Sequence, residues 1–137
     1  MPSVARAQGL IVNKTKDERK DFEKSATAAA KLIKNICIPE AKKILKAHEL
    51  QCSENDLWFR FLVLHIYHAG AGNVAAVLKV INPEEGSQEL IKSMWQNKAA
   101  GFGNCSQNYS QLAIASQLIL HEMVYSNCKD VISYSSR

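Results

Sequence analysis

Leu57-Trp58-Phe59-Arg60-Phe61-Leu62-Val63-Leu64-His65-Ile66-Tyr67 is apolar on nearly every side of a helical projection, with Arg60 and His65 the exceptions. A helix without a polar face has no side to turn to water, so this segment predicts the central helix of a helical core. Trp58, Phe59 and Phe61 read as core for the same reason. Ser53 or Asn55 suits its N-cap, and the run Ala69-Gly70-Ala71-Gly72-Asn73 breaks it. Beyond the break, residues 74–80 predict a helix ending before Asn82-Pro83, and residues 87–96 predict another. The loop Ala100-Gly101-Phe102-Gly103-Asn104 leads to a last helix from about Ser106, with Leu112, Ala115, Ile119 and Val124 expected on its inner side and a frayed end.

Upstream, Pro39 suits the first turn of a helix reaching about His48, with Ala41, Ile44 and Leu45 as an apolar stripe. Asp21 is placed to cap a separate helix through Lys34, in which Ala26, Ala29, Ala30 and Ile33 recur at helical spacing and predict close packing. Ser3 caps a short helix to Gln8 that Gly9 ends, and residues 10–20 read as a polar loop. No alternating strand pattern, repeat or linker intervenes, so the 137 residues are expected to form one all-α unit.

At 47% hydrophobic and 22% charged residues, the composition is that of a globular domain, and a domain of this length buries roughly two thirds of its unfolded surface without staples. Cys37, Cys52, Cys105 and Cys128 form no C-x-x-C pair and read as small core residues. No leader pattern and no apolar stretch near the ~20 residues of a membrane span occur, so the chain as written is expected to be cytoplasmic. Residues 1–49 carry 11 Lys and Arg against 6 Asp and Glu. Aromatic residues that would stack on bases are missing among Lys31, Lys34, Lys42, Lys43 and Lys46, so a solvated helix face is expected and not a nucleic-acid surface. No cofactor motif is present. His65 and His68 lack a third ligand at metal spacing, and Tyr125 replaces the second histidine of an H-E-x-x-H motif begun by His121-Glu122, so no metal is expected. Glu84, Glu85 and Glu89 read as a solvated helix start.

Ile66-Tyr67-His68-Ala69-Gly70-Ala71-Gly72-Asn73-Val74 resembles the A-Y-N-A-G-x-G-x-V motif of the lytic transglycosylases, a soluble family of the lysozyme-like superfamily. Met1-Pro2-Ser3-Val4-Ala5-Arg6 is similar to the tail of that family's Q-x-M-P-x-T-A motif, and Asp17-Glu18-Arg19 with Asp21-Phe22-Glu23-Lys24-Ser25 resembles the segment lying between the two. Residues 101–110 are similar to the loop and helix start that carry a second cleft tyrosine, here Tyr109. Order and spacing agree along nearly the whole chain. The departures are His68 for asparagine, Val4 for threonine, Ala71 for proline and Phe22 for proline.

The resemblance implies a lysozyme-like helical domain, truncated at its N-terminus, in which residues 1–137 form part of a transglycosylase domain starting at the M-P-x-T-A motif. It implies non-hydrolytic cleavage of the bond between N-acetylmuramic acid and N-acetylglucosamine in a peptidoglycan glycan strand, giving a 1,6-anhydro end. In that reaction one glutamate first protonates the leaving oxygen and then deprotonates the 6-hydroxyl, so the second carboxylate of ordinary retaining glycosidases is dispensable. The family's glutamate lies upstream of Q-x-M-P-x-T-A, so no residue of this chain matches it and no catalytic residue is assigned. Met1, Tyr67, His68, Ala69, Gly70, Gly72, Asn73 and Tyr109 are the expected supporting and substrate-binding residues. Tyr109 fits a substrate contact and a plain packing role equally. The expected chain is inactive alone, with an apolar patch at the truncated face through which it self-associates. A glycan-binding pseudoenzyme and a basic helical interaction protein are the alternatives.

Overall fold

Capping groups and backbone breaks set the helix boundaries. The computed structural model describes residues 2–134 and the side chains of residues 2–126; the expectations for Met1, for Cys128 and for the chain's frayed end lie outside them. Helix α1 spans Pro2–Ala7. The segment after it is more ordered than a polar loop. Val12 and Asp17 pair in an isolated antiparallel bridge, and Glu18–Lys20 form a 3-10 turn. Glu18 is buried there, accepts a hydrogen bond from Ile11 N at 2.8 Å, and pairs with Lys16 and Lys24 at 2.9 and 2.7 Å. Lys24 above all holds its carboxyl down at about 2.

Asp21 caps α2 (Phe22–Leu32), its side chain accepting from Lys24 N as expected. The expected gap between this helix and the next is closed. A π-helical turn over Ile33–Cys37 runs straight into α3 (Ile38–Ala47). Pro39 has no N–H and its ring crowds the carbonyl four residues back, a conflict that a register slip to wider hydrogen bonding relieves without ending the helix. The Ile38 N–H accordingly reaches Ile33 O, five residues back. The packing face of α2 also differs from expectation. Ala28 is buried while Ala26 and Ala30 are exposed and Ala29 and Ile33 are half-buried, because this helix is covered on one narrow side only.

Helix α4 spans Leu57–Ala69 and α5 spans Ala71–Ile81. Asp56, and neither Ser53 nor Asn55, is the residue before α4; its carboxylate turns back to the Ser53 N–H at 2.9 Å. The break is a single residue. Gly70 adopts φ 86° and ψ 150°, a conformation essentially reserved for glycine, and α5 begins at once, three residues earlier than predicted. Helix α4 packs against α3, α5, α6 (Gln88–Gln96) and α7 (Tyr109–Tyr134), as its apolar circumference requires. Leu45, Leu62, Val74, Val77, Leu78 and Met94 meet around it with no solvent exposure. Each contributes roughly 1.5–3 kcal/mol by burial. Among the described residues the fold is all-α, with two isolated bridges and no sheet, and no helix is long and apolar enough to cross a membrane.

Two cysteine expectations divide. Cys37 is buried, which pushes its thiol up, and Cys52 is half-buried, whereas Cys105 is exposed on a 3-10 turn that the core does not reach. Gly86 sits against the buried Trp58, and a Cβ there would overlap the indole ring. Gly86→Ala is expected to destabilise the fold by about 1–3 kcal/mol through overpacking. Urea unfolding followed by Trp fluorescence reads it, and an unchanged midpoint would show that the ring can move aside.

Helix α7 contradicts the predicted inner face. Leu112, Ala115, Ile119 and Val124 are all exposed. Only the first turns touch the body, through buried Ser110 and half-buried Ala113 and Ile114; beyond these the described helix outruns the core, so no inner side exists.

Candidate functional site

The apolar α4 ends by delivering Tyr67, half-buried, into a groove of about 200 Å³. Val4, Ala5 and Gln8 of α1 form one side, Ser25, Ala28 and Ala29 of α2 another, and Arg19 stands among them. Arg19 is held in place by Asp17, whose Oδ1 accepts from Nε at 2.8 Å and Oδ2 from a terminal nitrogen at 2.6 Å. That fork also keeps the Asp17 carboxyl down at about 2. The groove therefore offers a phenol, a guanidinium, an amide and a hydroxyl over an alanine floor. No carboxylate lines it among the described residues, so it holds no general acid.

His68 and Tyr109 stand next to Tyr67 as a pair. Their rings stack with centroids 4.2 Å apart and planes 12° from parallel. Burial, with Tyr67 adding to it, pushes the Tyr109 hydroxyl up. The structure thus brings together three of the expected residues, Tyr67, His68 and Tyr109, from α4 and the start of α7.

The turn between α4 and α5 does other work. Asn73 donates to Ala69 O at 2.8 Å and accepts from Gly101 N at 3.0 Å, tying the turn to the loop at 99–102. With both groups engaged, Asn73 is a staple, not a sugar contact. Gly70 supplies the sharp turn, and Ala69 packs against the core. Gly72 departs from expectation. It lines a separate groove with Lys43, His48 and Lys79, because α5 begins at Ala71 and turns Gly72 towards α3.

Behind the site lies a buried polar chain that the residue pattern did not reveal. His65 is fully buried, with Nδ1 2.9 Å from Ser106 O and Nε2 3.0 Å from Ser110 Oγ, and the Trp95 indole N–H donates to the same Oγ at 2.9 Å. A carbonyl only accepts, so Nδ1 carries the proton and Ser110 donates to Nε2. This chain fastens the start of α7, and so Tyr109, to α4. Among the other residues weighed, Lys31, Lys34, Lys42, Lys43 and Lys46 are exposed, as are Glu84, Glu85 and Glu89.

Arg19, Gln8 and Ser25 were missed as lining residues. Their signal was the placement of Arg6, Arg19 and Ser25 within or beside the matched segments, which carried no role of their own. Comparisons of the chain with protein-family models, curated proteins and solved structures return no match.

Proposed function

We propose that the chain is a lysozyme-like lobe of the lytic transglycosylase type, which holds a peptidoglycan glycan strand against Tyr67 and supplies no proton-transferring acid of its own. One observation carries this reading. Three segments that resemble separate family motifs, at residues 1–6, 17–25 and 66–74, converge on one groove through Val4, Ala5, Arg19, Ser25 and Tyr67. The segment resembling the fourth sets Tyr109 on His68 beside them. Chain order alone does not require segments so far apart to meet; a shared ligand surface does. Sugar hydroxyls and acetamido groups suit the phenol, guanidinium, amide and hydroxyl there, and the stacked His68 and Tyr109 rings offer an apolar face. Cleavage to a 1,6-anhydro end needs a carboxylic acid, which on this reading comes from outside the groove. The substrate lies in the cell envelope, so the reading places the protein's work there.

Titration with N-acetylglucosamine oligomers, followed by backbone amide NMR, is expected to shift Val4, Ala5, Arg19, Ser25, Tyr67 and His68, and Tyr67→Ala is expected to weaken binding at least ~10-fold, the loss of one good contact. Shifts confined to residues 39–48, with residues 67–73 silent, would remove the glycan reading. Sacculi incubated with the chain should release no 1,6-anhydro-muropeptides by mass spectrometry. Their appearance, abolished by changing one carboxylate of the chain, would overturn the supporting role.

A further inference from the structure

The largest apolar surface lies far from the groove, on α7. Leu112, Leu118, Ile119, Leu120, Met123 and Val124 are each between 55% and 63% exposed. Residues 112, 119 and 123 share the side of the helix opposite Ser110, while Leu120 and Val124 lie nearer the body side, beyond the point where the body ends. A second uncovered surface sits where α7 leaves the body. It is an apolar groove of about 390 Å³ lined by Ile33, Ile38, Leu57, Phe61 and Leu64, with Gln117 of α7 at its edge.

We propose that these two surfaces cover one another between two copies of the chain, the outer half of α7 from each lying in the apolar groove of its partner. Three features of the molecule point to a second copy. The six side chains expose roughly 700 Å², close to the ~800 Å² per partner of a stable interface. Helix and groove are both present on one chain and adjoin at Gln117, so a two-fold axis near that residue satisfies both at once and closes the assembly at two. Charge agrees: Arg60 lines the groove and Glu122 lies on the exposed stretch of α7, so each copy brings a cation for the other's carboxylate. The expected self-association therefore moves away from the α1 face and onto α7. This pairing does not depend on the glycan reading.

Light scattering over a rising concentration series tests it. The chain is expected to have twice its 15.2 kDa mass at high concentration. Leu118→Glu on the helix and Leu57→Glu on the groove rim, both at exposed positions, should each return it to a monomer with an unchanged far-ultraviolet circular dichroism spectrum. A wild-type monomer throughout the series would overturn the pairing. So would a monomeric Leu118→Glu beside a dimeric Leu57→Glu, which would mean helices pairing without the groove. A monomer that sediments with phosphatidylglycerol–phosphatidylethanolamine vesicles would assign α7 to a lipid surface and overturn it as well.

Discussion

Phe102→Ala is expected to destabilise the protein by about 3–5 kcal/mol, the cost of deleting a fully packed ring and leaving its cavity. Phe102 is 1% exposed although it sits in a loop. Its backbone closes a tight turn with Ala99, N to O at 2.8 Å and O to N at 3.1 Å, and its ring lies 5.4 Å from that of His65. The side chain thus pins a surface turn to the middle of α4. Global stabilities run about 5–15 kcal/mol, so the loss removes a large share of the margin and lowers the melting temperature by roughly 10 °C or more. Circular dichroism melting reads the effect. The turn also leads into α7, so Tyr109 loses its fixed place against His68, and glycan-induced shifts at those two residues should fade before those at Val4 and Ala5. A melting point within a degree or two of wild type would mean that the turn is held by Asn73 and the backbone alone.

The residue pattern conveyed the helical class because α4 has no polar side, and it conveyed the order of helices because apolar spacing and turn residues are local signals. What it missed depends on distant partners. Pro39 reads as a helix start, and only a π turn upstream lets the helix pass through it. Gly72 and Gly70 look equivalent in the motif, yet the chain reverses at Gly70 alone and Gly72 becomes an ordinary helical residue facing another groove. The stripe on α7 is periodic, and periodicity says that a face is apolar without saying that anything covers it. Tyr67 was legible through its setting, the end of a buried helix before a glycine. His65 was legible only as an oddity in an apolar run, because its partners, Ser106 and Ser110, lie more than 40 residues downstream.

His65 also sets how the fold responds to acid. Burial, ahead of any partner, drives its imidazole down from the ordinary 6.5 to about 4; the Ser106 carbonyl opposes this and His68 adds to it. Above about pH 6.5 the ring is neutral whether the chain is folded or not, so its contribution is fully present. Between about 6.5 and 4 the unfolded chain takes up a proton that the folded chain refuses, and stability falls as the pH falls. Below about 4 the loss is complete, at about 3 kcal/mol for a shift of this size at 1.36 kcal/mol per pKa unit. A second proton also spoils the chain behind the site, since Ser110 then faces N–H donors from both His65 and Trp95 and must turn its own hydrogen away. Asp17 and Glu18 act in the same direction but lower, between the ordinary carboxylate range and about 2. Urea midpoints at pH 7, 5.5 and 4.5 therefore isolate the histidine. The midpoint should drop steadily across that series in the wild type and stay nearly level in His65→Gln, whose amide has no proton to gain, even if that variant starts from a lower stability. Equal slopes in the two proteins would show that another group governs the acid response, and would separate His65 from the stability of the α4–α7 junction.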